Sequence, residues 1–252
     1  MKNSMLTTLS RLRRCLLLSL PLTGGVVNIS FAQTQFMGWG GTFQNIHFSG
    51  KTGLWFDGQV RSTDQAAHVQ SLLLRPGVNF YLTKNLTATA GYAHVHHRKS
   101  VGPVTGYLAE HRSWQQLLFS HPVHAATVTH RLRLEQRYLP VVSVQGNALD
   151  TDGYTYAGRL RYFTRGVLPV NGEKKFRKGY FAALQNELFV NMGDNSVVNG
   201  KFFDQNRAYI ALGYRAAASF DIEVGYMNQY ISGAGDATTN NHILQCATYL
   251  RL

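Results

Sequence analysis

The chain has 252 residues, 44% of them hydrophobic, and a formal net charge of +12 at pH 7. After residue 32 no apolar run reaches 18 residues, which excludes an ordinary helical membrane protein. The basic residues stand singly along alternating segments, not in one patch or helix, which argues against a nucleic-acid partner.

The start of the chain reads as a secretory signal. Lys2, Arg11, Arg13 and Arg14 form a basic region, residues 15–22 a short apolar one, and Ser30, Phe31 and Ala32 a small-residue cleavage site. Residues 1–32 are therefore expected to be a cleaved signal peptide, and 33–252 a single domain starting at Gln33. Losing four basic residues and no acidic one leaves +8. One cysteine, Cys246, remains, so no intramolecular disulfide can form.

Beyond the signal the pattern predicts strands over 36–48, 53–63, 69–82, 86–96, 108–121, 127–139, 154–164, 180–190, 204–214, 220–230 and 241–251. Each is about 10 residues or longer, enough for a tilted strand to cross a bilayer. Short turns are expected at 49–52, 83–85, 122–126 and 215–219, and longer polar loops at 97–107, 140–153, 191–203 and 231–240. Short turns at one end and long loops at the other is the outer-membrane barrel pattern. Residues 165–179 break it, being long where a short turn belongs. Eleven segments is also an odd number, and bacterial single-chain barrels have even counts. The expectation is an all-β fold: one antiparallel transmembrane barrel of about 12 strands, with 10 as the alternative.

The alternation is clearest over residues 127–138. Thr127, Thr129, Arg131, Arg133, Glu135 and Arg137 share one face; Val128, His130, Leu132, Leu134, Gln136 and Tyr138 share the other. Asp57, Gln59 and Arg61 oppose Phe56, Gly58 and Val60, and Arg159 and Arg161 oppose Leu160 and Tyr162. A midplane Arg or Lys facing lipid costs about 2–4 kcal/mol, so the charged faces are expected to point inward. The candidate lumen network is Glu110, Arg112, Arg131, Arg133, Glu135, Arg137, Arg159, Arg161 and Arg207. It can stiffen and plug a narrow barrel, or select anionic solutes. Gly-Tyr occurs six times, from Gly91-Tyr92 to Gly225-Tyr226, and reads as barrel bends and an aromatic girdle.

Two other groupings could carry chemistry. His111 and Ser113, two residues apart, share a strand face. This arrangement resembles that of outer-membrane lipid A deacylases, in which a histidine activates a serine nucleophile. Glu110 falls on the opposite face, so no acid to orient the base is evident. His94 and His96 also share a face, with His97 adjacent and His111 across a loop, but zinc usually needs a third or fourth ligand. No metal or cofactor is expected.

Five segments taken together carry a resemblance. They are Glu110-x-Arg112-x-Trp114-Gln115-Gln116-Leu117; residues 130–137 (HRLRLEQR); residues 186–191 (NELFVN); residues 204–207 (DQNR); and residues 225–229 (GYMNQ). In this order they resemble the bacterial secreted family DUF2490 over nearly the whole mature chain. The resemblance implies an outer-membrane β-barrel and brings no activity, substrate or catalytic residue. The expected protein is thus a Gram-negative outer-membrane barrel, either a narrow pore or a structural barrel. Its partners would be outer-membrane lipid, lipopolysaccharide and the barrel assembly machinery. The alternatives are a membrane-embedded lipid-modifying hydrolase using His111 and Ser113, and a soluble β-sandwich with the apolar faces covered by a second sheet.

Overall fold

The computed structural model describes residues 33–63 and 65–252; the expected signal segment lies outside them. The described residues form eleven strands and no helix. The first six are β1 (Gln33–His47), β2 (Thr52–Thr63), β3 (His68–Tyr81), β4 (Leu86–Val101), β5 (Val104–Val123) and β6 (Ala126–Gln145). The others are β7 (Ala148–Pro169), β8 (Gly179–Met192), β9 (Phe203–Ala217), β10 (Phe220–Ser232) and β11 (Thr238–Arg251). Each pairs with its chain neighbours and β11 closes on β1, making one closed barrel.

Eleven strands stand where parity had suggested twelve or ten. The parity rule assumes that every pair is antiparallel. Here β1 and β11 enter from the same end and pair in parallel, from Gln33 opposite Thr239 to Asn45 opposite Arg251. The seam continues to the last residue, where His47 N donates to Leu252 O at 2.6 Å and Leu252 N to Asn45 O at 2.9 Å.

Two expected loops are strand instead. The segments 97–107 and 140–153 continue the β4–β5 and β6–β7 ladders and close in two-residue turns at Gly102-Pro103 and Gly146-Asn147. Gly102 (φ 56°) and Gly146 (φ 61°) take the positive φ that a tight hairpin needs at its first central position. Residues 193–202 and 233–237 close the same end, the loop end. There Asn199 is buried, donating to Ser232 O at 2.8 Å and Phe203 O at 3.0 Å, which folds the β8–β9 loop inward. The opposite, turn end carries 48–51, 82–85, 124–125, 218–219 and the longer 170–178.

Alternation decides which way every side chain faces. Along β3, Leu72, Leu74, Val78 and Phe80 are exposed on the outside while Leu73, Arg75 and Asn79 are buried inside. No second sheet covers the outer apolar face among the described residues. Strands about 4.8 Å apart and tilted by about 40° give eleven of them a backbone radius of roughly 11 Å. Arginines reaching in from both walls nearly span such a bore.

The inner wall is shaped around Trp114, whose indole lies over the bare backbone of β3 and β4. A Cβ on Gly77 would stand 2.7 Å from the ring, and one on Gly91 would overlap both the ring and Pro76 O. Gly91→Ala is expected to cost about 1–3 kcal/mol of stability in urea titration, as overpacked sites do. Gly166→Ala, which meets open space, serves as the near-neutral control.

Candidate functional site: the barrel lumen

The inward faces of β5 to β9 carry one continuous ion network. It begins at Glu110, which accepts from Arg112 Nε at 2.6 Å, Arg137 Nε at 2.7 Å and, at 3.2 Å, pairs with His97. Arg112 also reaches Glu135, Nη1 to Oε2 at 3.8 Å. Glu135 in turn accepts from Arg159 Nη2 at 2.6 Å and Arg161 Nη1 at 2.5 Å. Arg161 continues to Glu187 at 2.7 Å, which Arg131 reaches from β6 at 2.7 Å. Arg159 extends the chain to Asp204 at 3.2 Å.

Seven of the nine residues singled out by pattern therefore meet in one assembly: Glu110, Arg112, Arg131, Glu135, Arg137, Arg159 and Arg161. Two of its carboxylates are almost fully buried, Glu135 1% and Glu110 2% exposed. Desolvating so many charges costs several kcal/mol per ion, offset only when each carboxylate takes multiple charge-assisted hydrogen bonds. Every glutamate here takes at least two.

Arg133 and Arg207 stay outside it. Arg133 donates twice to Gln116 Oε1, at 3.0 and 2.7 Å, and lies 4.4 Å over Trp114. Arg207 lies against Trp39 and Phe189, 5.1 and 4.7 Å from the ring centroids. Neither has a carboxylate within ion-pair distance among the described residues. Cation–π contact and an amide stand in for the missing anion.

The nine candidates left out further lumen residues, some of which, like Asp57, the alternation had already turned inward. Glu187 and Gln116 lie in segments that carried the resemblance, but neither was assigned a lumen role. Arg165 spans from β7 to Glu223 on β10, Nη2 to Oε2 at 2.5 Å. Tyr209 and Tyr249 hydroxyls donate to the same carboxylate at 3.1 and 2.8 Å. Arg75 and Asp57 form a further buried pair at 2.8 Å.

The outer-face candidates do not converge. Both ring nitrogens of His111 face tyrosine hydroxyls, Tyr92 on one side and Tyr154 at 3.1 Å on the other. Ser113 Oγ donates to Gln136 Oε1 at 2.8 Å, away from His111. Glu110 points into the lumen. His94 and His96 bring their Nε2 atoms within 2.6 Å on the outside, while His97 turns inward. No group of three or more His, Cys, Asp or Glu among the described residues is arranged to hold a metal.

Below the network, toward the turn end, the lumen opens into a cavity of about 680 Å³. Arg75, Asp57, Arg131, Arg161, Glu187 and Arg207 lie at its inner end, and Lys174, Lys175, Phe176 and Arg177 of the 170–178 segment at its mouth. Arg215 holds that segment in place. Its Nη1 donates to Phe176 O at 3.0 Å and its guanidinium lies 4.6 Å over the Phe176 ring.

The family model described as protein of unknown function (DUF2490) matches residues 36–241. An uncharacterized protein of Methylorubrum extorquens is 26% identical over 194 residues, covering 77% of this chain and 78% of that protein.

Proposed function

This chain belongs to the DUF2490 family, and we propose that it is an outer-membrane barrel whose lumen is closed by its own ion network. On this reading it is a structural or ligand-holding barrel and not a standing pore. The observation that carries the reading is the burial of Glu135 and Glu110, 1% and 2% exposed, inside a closed barrel. A continuous water path past these residues would wet them.

The outer surface supports the membrane half of the reading. Leu72, Leu74, Val78, Leu117, Leu132, Leu184, Ile210 and Val224 are all exposed on it. A soluble protein rarely shows so large a contiguous apolar surface, whereas a barrel in lipid requires one. Its partners would then be outer-membrane lipid and lipopolysaccharide, with the barrel assembly machinery inserting it.

The test is planar-bilayer conductance of refolded protein, with folding verified by heat-modifiable gel mobility. Inserted barrels are expected to be electrically silent. Steady ohmic conductance would overturn the closed-lumen reading, and anion selectivity would point to a path along the arginine row.

A further inference from the structure

We propose that the cavity at the turn end binds a soluble organic anion, an oxyanion head on an apolar body. The deciding feature is a pair of guanidinium groups at one indole, neither with a carboxylate in ion-pair distance among the described residues. Arg61 and Arg207 both lie against Trp39, 4.1 and 5.1 Å from its centroid, and all three line the cavity. Arg61 donates from Nε and Nη2 to Gln59 Oε1 at 3.2 and 2.7 Å, and its Nη1 has no hydrogen-bond partner among the described residues. Arg207 has a second ring, Phe189, and the Gln229 carboxamide, which comes within 3.1 Å of Nη2.

The cavity's own carboxylates are engaged elsewhere. Asp57 is held by Arg75, Glu187 by Arg131 and Arg161, and Asp221 by Arg215 and Arg251. None is within ion-pair distance of Arg61 or Arg207. Two like charges near one ring repel each other, and an anion between or beside them removes that cost. Guanidinium forks match planar or tetrahedral oxyanions in particular.

The rest of the cavity specifies the remainder of the ligand. Phe43, Leu118, Phe163 and Met227 offer apolar wall, so a bare inorganic ion would leave most of the surface unused. The volume is within the range of small-molecule sites, roughly 300–1,000 Å³. Lys174, Lys175 and Arg177, exposed at the mouth, draw anions in from water. Because the ion network closes the inner end, the ligand is held and not passed. Binding at this inner end does not depend on whether the lumen conducts.

The test is a titration of the refolded full chain, in nanodiscs of zwitterionic lipid, with phenyl phosphate. Trp39 and Trp55 line the cavity, so intrinsic fluorescence reports on occupancy. Saturable quenching is expected, with benzyl alcohol and inorganic phosphate each binding about tenfold or more weakly. R61Q should weaken phenyl phosphate by about tenfold, as loss of a charge-assisted contact does. The exposed-loop variant K174Q/K175Q/R177Q should weaken it at low salt without disturbing folding, and the difference from the parent protein should vanish as salt rises. Equal binding of benzyl alcohol, or wild-type affinity in both variants, would overturn the proposal. Competition by anionic lipid added to the nanodiscs would overturn the soluble-anion assignment, whereas indifference to it supports that assignment.

Discussion

Replacing Glu135 with methionine is expected to lower the stability of the refolded barrel by about 3–5 kcal/mol, the usual cost of breaking a buried ion network from one side. Glu135 takes hydrogen bonds from Arg159 Nε and Nη2 and from Arg161 Nη1, at 3.0, 2.6 and 2.5 Å, with Arg112 at 3.8 Å. Removing it deprives three buried guanidinium groups of a shared carboxylate. Asp204, Glu187 and Glu110 each retain one of them, so the loss is partial for Arg159, Arg161 and Arg112. Urea unfolding followed by gel mobility would read the change, with Asp152→Asn, on the exposed β6–β7 hairpin, as a control within about 0.5 kcal/mol. The triple variant Glu135→Met, Arg159→Met, Arg161→Met should recover much of the loss, because well-packed apolar replacements of a whole buried network are often neutral or better. If the single variant costs under about 1 kcal/mol, these charges are wet and the closed-lumen reading fails with them.

The faces of the strands were legible because the side-chain period is two and the penalty for error is large. Arg131, Arg133 and Glu135 could point only one way if the alternating leucines were to stay together. Their partners were not legible. Glu187 meets Arg131 from β8, two strands away, through a stagger that only the closed barrel sets. Arg207 faces inward by pattern, yet nothing local announces that it ends at Trp39 and not at a carboxylate. The segments 97–107 and 140–153 misled for a different reason. Their Gly, Pro, Asn and Asp residues signal a break, and the break occupies two residues while the ladder continues on both sides. Residues 165–179 were flagged as anomalous, and the anomaly has a place: β7 runs on to Pro169, and the remainder carries the basic mouth of the cavity. The odd strand number was visible too, and the parallel seam that resolves it lies between the two ends of the chain, where no short-range signal reaches.

Replacing Leu132 with arginine is expected to cost about 2–4 kcal/mol of folding into lipid vesicles and to deplete the heat-modifiable form from the outer-membrane fraction. Leu132 is 46% exposed and seven residues into β6, opposite Leu117 on one side and Tyr162 on the other. Its neighbours in sequence, Arg131 and Arg133, are buried in the lumen, so the strand already carries arginine at the same height on the other face. The contrast isolates the solvent outside the barrel from everything inside it. Against water, an arginine at a half-exposed site changes stability by no more than about 0.5 kcal/mol and relieves an apolar patch. Against hydrocarbon, the same group must be dehydrated or drawn toward the interface, and assembly suffers. A strand slip cannot rescue it, because a shift of one residue would turn Arg131 and Arg133 outward and Leu132 in. The sign of this one change therefore distinguishes a barrel in lipid from a barrel in water, without reference to any activity. Undiminished assembly of the Leu132→Arg protein would remove the membrane from the proposed function while leaving the lumen network and its cavity intact.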